Sequence, residues 1–149
     1  MQDGGKIIYL RYLPAEGADR ARELGRALYA LRVPLNEILA APSLPARRTA
    51  EVAFGTERLR EAKELADAET ATSALQTLRR LLRTIPGPGT NRVLVAERAP
   101  LELAAERRFP DTALPAGGMA VFLAGDTVQL LGTITAERVI ASAKARGAM

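Results

Sequence analysis

The 149-residue chain contains no histidine and no cysteine. Without cysteine there is no disulfide framework, no thiolate nucleophile and no thiolate metal site. Without histidine it lacks the usual general base near neutral pH and the commonest metal ligand, so no metal or cofactor is expected. Tryptophan is also absent, and tyrosine and phenylalanine number three each. That is too few for a stacking platform on single-stranded nucleic acid. Among 21 basic residues only Lys6, Lys63 and Lys144 are lysines. No run approaches the ~20 apolar residues of a membrane-spanning helix. The opening "MQDGGK" lacks a charged segment followed by an apolar one, so no signal peptide is read and a cytoplasmic protein is expected.

What is present is apolar material: 48% of the residues are hydrophobic. That is enough for one core, and residues 1–149 read as a single domain. The formal charge is +4 and the isoelectric point about 10.0, which brings nucleic acid into question. The arginines, however, alternate with glutamates in "DRARELGR" and "RLREAKE". This is the pattern of a solvated helix surface, and nucleic acid is not expected as a partner.

Short apolar runs alternate with helical periodicity. "KIIYLR" (6–11) and "NRVLVA" (91–96) read as buried strands, "NEILAA" (36–41) as another, and "ERLREA" (57–62) as a short one. Helices are expected over 18–32, 45–54, 70–84, 100–108 and 136–146. In the third, Ala71, Ala74, Leu75, Leu78, Leu81, Leu82 and Ile85 make one apolar face, and "IPGPG" ends it as a turn. Residues 118–134 read as a hairpin turning at Gly125 and Asp126. Alternation of this kind predicts a three-layer α/β/α sandwich with a mainly parallel sheet and an antiparallel edge hairpin. Sites in such sheets form at the C-terminal ends of strands, here residues 11–13, 41–45 and 96–99.

Those strand ends carry a resemblance. "YLRYL", "PAEGADRARELGRAL", "LAAPSLPARRTAEVAFG" and "TNRVLVAERAPLELA" come in the order and spacing of the motifs of the histidine phosphatase superfamily. The likeness is to its small bacterial phosphohistidine-phosphatase-like group and runs over residues 4–122. The resemblance implies a phosphoglycerate mutase-like fold. It also shows what is missing. Tyr12 stands where the family has its nucleophilic histidine after the first arginine, and Glu97 where a second histidine contacts the phosphoryl group. Pro45 replaces the second arginine, Ala40 and Ala41 replace two serines, and the loop that helps enclose phosphate has shrunk to "LPA". Only Arg11 matches.

Phosphoryl transfer needs an in-line nucleophile and cations around the equatorial oxygens. A tyrosine phenol is mostly protonated at neutral pH, and a carboxylate at position 97 repels a phosphate dianion. The expectation is therefore a pseudoenzyme retained for binding or assembly, with an unidentified protein or a small anion as partner. The alternatives are an enzyme of another class reusing Arg11, Tyr12 and Glu97, and a weak anion binder using Arg11. Arg98 is a further candidate to enter the site, whereas Arg47 and Arg48 read as solvated helix charges. Arg11 and Glu97 are expected to pair, the carboxylate standing in for phosphate.

Overall fold

The computed structural model describes residues 5–147. Its first strand, β1 (Lys6–Arg11), buries Ile7, Ile8, Tyr9 and Leu10. A short 3₁₀ turn leads into α1 (Ala18–Ala30), whose buried face is Ala21, Leu24, Ala27 and Leu28, at the three- and four-residue steps of a helix. Then come β2 (Leu35–Ala40), α2 (Leu44–Phe54), β3 (Leu59–Glu61), α3 (Glu64–Asp67) and α4 (Thr72–Leu81). The chain continues with β4 (Asn91–Ala96), α5 (Arg98–Ala105), the hairpin of β5 (Met119–Leu123) and β6 (Gln129–Ile134), and α6 (Ala136–Ala145).

The six strands form one sheet in the order β3-β2-β4-β1-β5-β6. The first four run parallel, and β5 and β6 add an antiparallel pair at one edge. α1 packs on α2 and α6, while α4 packs on α3 and α5. These two groups are the outer layers of the sandwich. β4 lies at the centre with all six residues buried, as a strand covered on both faces requires. β1 and β4 are neighbours with Arg11 level with Ala96, so the residues after both strands open at one end of the sheet.

Several boundaries depart from the periodic pattern. The helix expected over 70–84 is shorter and is preceded by the separate turn of α3. Ile85, expected on its apolar face, is 69% exposed because the chain has left the helix by then. The carbonyls of Leu81 and Thr84 at that end accept hydrogen bonds from Arg92 Nη1 at 3.2 and 2.8 Å. α5 begins at Arg98 rather than residue 100. Pro100 then falls in the first turn, where a helix has no use for the missing N–H.

Candidate functional site

β1 delivers Arg11 and Tyr12 to the C-terminal edge of the sheet, and backbone bonds hold them there. Arg11 N–H donates to Gly118 O at 2.9 Å, Gly117 N–H to Arg11 O at 2.8 Å and Tyr12 N–H to Ala96 O at 3.1 Å. Gly117 has φ +81, and a Cβ on it would lie 3.0 Å from the Leu13 side chain, so only glycine closes this corner without strain. The next residue is tied to α2: Leu13 N–H donates to the Thr49 hydroxyl at 2.9 Å. Thr49 is buried and returns its own proton to Leu13 O at 3.3 Å.

The Arg11 side chain does not pair with Glu97. It donates from Nη1 to Asp111 Oδ1 at 2.9 Å and to Leu114 O at 2.8 Å. Arg98, from the first turn of α5, donates to the same Asp111 oxygen, with Glu102 Oε2 3.9 Å from its Nε. Two guanidinium groups thus close on one carboxylate. The hydrogen bond from Arg11, then the charge of Arg98, hold the Asp111 carboxyl below the usual carboxylate range. Asp111 comes from the segment between α5 and β5, whose start is braced by Phe109 N–H donating to Glu102 Oε2 at 2.7 Å. No motif marks it: "FPDTALPAGG" has neither helical nor strand periodicity. A lone Asp after a proline is all that the sequence offered.

Glu97 takes another part. It is the residue before α5, with extended backbone and an exposed side chain, and a carboxylate near a helix N-terminus is electrostatically favoured. Its carbonyl accepts from the hydroxyl of fully buried Tyr9 at 2.7 Å, so β1 also fixes the start of α5. Its carboxylate acts on the neighbouring Tyr12. Desolvation, then the charge of Glu97 and a hydrogen bond to it, raise the Tyr12 phenol above its ordinary value, and Arg11 pulls the other way without winning. Tyr12 is therefore a proton donor at neutral pH and a poor nucleophile.

Pro45 is exposed in the first turn of α2, where Ser43 caps the helix by accepting from Ala46 N–H at 3.3 Å. It is a helix starter with no polar group to offer. Arg47 and Arg48 are exposed. Of the residues singled out in the sequence, Arg11, Tyr12, Glu97 and Arg98 come together and Pro45 adds no charge to them. Among the described residues no group of three His, Cys, Asp or Glu side chains could hold a metal ion, and no helix is long and apolar enough to cross a membrane.

No protein-family model matches the sequence, and no curated protein matches it. Solved structures do. The protein histidine phosphatase SixA, complexed with tungstate, aligns with a TM-score of 0.65 over 90% of this chain and 99% of that one, at 12% identity. The chain has the histidine phosphatase fold. The phosphoserine phosphatase of Entamoeba histolytica, in complex with 3-phosphoglyceric acid, aligns at 0.62 over 87% of this chain and 96% of that one, with 12% identity. The phosphoglycerate mutase of Plasmodium falciparum gives 0.58 over 84% and 87%, at 16% identity. In this fold β1 and β4 end side by side, Arg11 level with Ala96.

Proposed function

We propose that this chain is a histidine-phosphatase-like protein that has lost phosphoryl transfer and serves in binding or assembly. The observation that carries the reading is the occupant of Arg11: its guanidinium holds the protein's own Asp111 carboxylate together with Arg98. An internal anion there occupies both guanidinium groups, Arg11 and Arg98. No histidine exists anywhere in the chain to attack phosphorus, and the raised Tyr12 phenol is a poor replacement. Removing one well-placed donor costs about 10²–10³ in rate. Here a cation is replaced by Pro45 and a second contact has changed sign at Glu97, so the losses compound.

A second reading has one observation in its favour. Two arginines on one carboxylate, itself 75% exposed, form a ready grip for a small oxyanion or carboxylate ligand that displaces Asp111. The two readings share the first test and differ in the second. Purified protein is expected to give no turnover of p-nitrophenyl phosphate or of a phosphohistidine peptide. Turnover that survives repurification and disappears in Arg11→Ala would overturn the loss of chemistry. Calorimetric titration with phosphate, with and without Asp111→Asn, then separates the two. Binding that appears or strengthens in Asp111→Asn favours the anion site, and its absence in both proteins favours assembly.

A further inference from the structure

At the opposite end of the sheet lies a feature independent of Arg11. A cavity of about 1010 Å³ opens between the C-terminal ends of α1 and α2 and the start of β2, with the Gly87–Pro88 turn as one lip. A recess of about 580 Å³ extends it along α1, past Gly25 towards Arg22 and Arg26. Its rim is open: Tyr29 is 86% exposed, and Asn36, Arg58 and Pro88 are exposed as well.

The charge of this groove has one sign. Arg22, Arg26, Arg32 and Arg58 line it, and among the described residues no aspartate or glutamate does. The chain carries 17 acidic and 21 basic residues, whereas the charged residues lining the groove are all basic. Asp19 pairs with Arg22 at 2.8 Å and Leu35 O accepts from Arg58 at 2.7 Å. Among the described residues, the side chains of Arg26 and Arg32 have no ion-pair partner within 4.0 Å. Two of the six aromatic residues, Tyr29 and half-buried Phe54, are also here, over a floor that includes Val33 and Pro34. Arg32 follows the C-cap of α1 with φ 61, the left-handed position that glycine takes most cheaply. An arginine is held there although, among the described residues, its guanidinium has no ion-pair partner within 4.0 Å.

We propose that this groove binds an extended acidic peptide segment that presents a large apolar side chain. Arginines grip carboxylates in bidentate fashion, and Tyr29 and Phe54 receive the apolar group. An open trough suits a chain laid along it, whereas a small molecule needs walls that enclose most of its surface.

The test uses the full ¹⁵N-labelled chain titrated with a short peptide of alternating Glu and Leu around one Phe. Three controls accompany it: the same peptide with Lys for Glu, the same with Ser for the apolar residues, and a single-stranded oligonucleotide. The acidic apolar peptide is expected to bind at least about tenfold more tightly than any control, a factor worth about 1.4 kcal/mol. Shifted amides should cluster at Gly25, Tyr29, Arg32 and Phe54. Arg32→Gly is expected to weaken binding several-fold with the melting temperature unchanged or raised, because glycine relaxes the backbone there. Arg11→Ala should bind as wild type, which keeps this groove separate from the question of phosphatase chemistry. Equal binding of the controls, tighter binding of the oligonucleotide, or unchanged affinity in Arg32→Gly would overturn the proposal.

Discussion

Arg92 enters β4 with 8% of its side chain exposed and donates from Nε to Glu37 Oε1 at 2.5 Å, while Arg60 donates to the other Glu37 oxygen at 2.8 Å. The Leu81 and Thr84 carbonyls accept from its Nη1, so a cation sits at the negative end of α4, where the helix dipole favours it. Removing one partner of a buried pair costs about 3–5 kcal/mol, and less here, about 2–3, since the Glu37 side chain is 30% exposed. Glu37→Leu should therefore destabilise more than an exposed substitution does. Arg92→Met with Glu37→Leu should lose less than the two singles together, with a coupling of about 1–3 kcal/mol in a denaturant double-mutant cycle. Zero coupling would mean that the carbonyls alone hold Arg92. A buried pair was legible in the sequence only in the wrong place. Arg11 and Glu97 have the right strand ends, yet Glu97 is exposed and the partner of Arg11 is Asp111. "NRVLVA" reads as an apolar run because a charge can be buried when its partner arrives from another strand, and sequence spacing carries no trace of that arrival.

Among the elements, β1 (6–11) and β4 (91–96) have the bounds of their runs, because the middle of a strand covered on both faces is apolar, with the paired Arg92 as the exception at the start of β4. The return segment after α5 had no such imprint. It is shaped by single contacts: Glu106 at φ 55 ends the helix, Arg79 donates to Ala104 O at 3.2 Å, and Glu102 holds Phe109. The seam between α1 and α2 was equally hidden. Gly25 looks like a blemish in "RELGRAL", but a Cβ there would lie 1.8 Å from Ala53 O and 2.9 Å from its Cα. Gly25→Ala would gain roughly 1 kcal/mol of helix propensity. It must also push the two helices apart, at a cost of about 1–3 kcal/mol or more for overpacking against rigid backbone. Net destabilisation is expected from denaturant midpoints. A neutral or stabilised variant would show that the helices stand further apart in solution.

For the whole molecule, the missing histidine and cysteine set the response to pH. No side chain has an ordinary pKa between pH 5 and 8, and the shifted groups move away from that window. Burial opposes ionisation of Glu37, but hydrogen bonds and charge from Arg92 and Arg60 outweigh it and lower its carboxyl from 4.5; Asp111 is lowered from 3.8, first by the hydrogen bond from Arg11. A lowered carboxyl contributes stability that is complete above its unfolded value and is lost as pH falls through the folded one. At the other side, burial first and then the charge of Glu97 raise Tyr9 far above 10.0. A raised phenol contributes stability that is complete below the unfolded value and declines as pH rises towards the folded one, by about 1.4 kcal/mol per pH unit for one proton. Unfolding free energy from denaturant titrations should thus be flat from about pH 5 to 9, fall below pH 4.5 and fall again above pH 10. Tyr9→Phe assigns the alkaline limb: it should cost about 0.5–1.5 kcal/mol at neutral pH for the lost bond to Glu97 O and flatten the decline above pH 10. A step in stability between pH 6 and 8, or an alkaline limb unchanged in Tyr9→Phe, would contradict this account of where the molecule holds its protons.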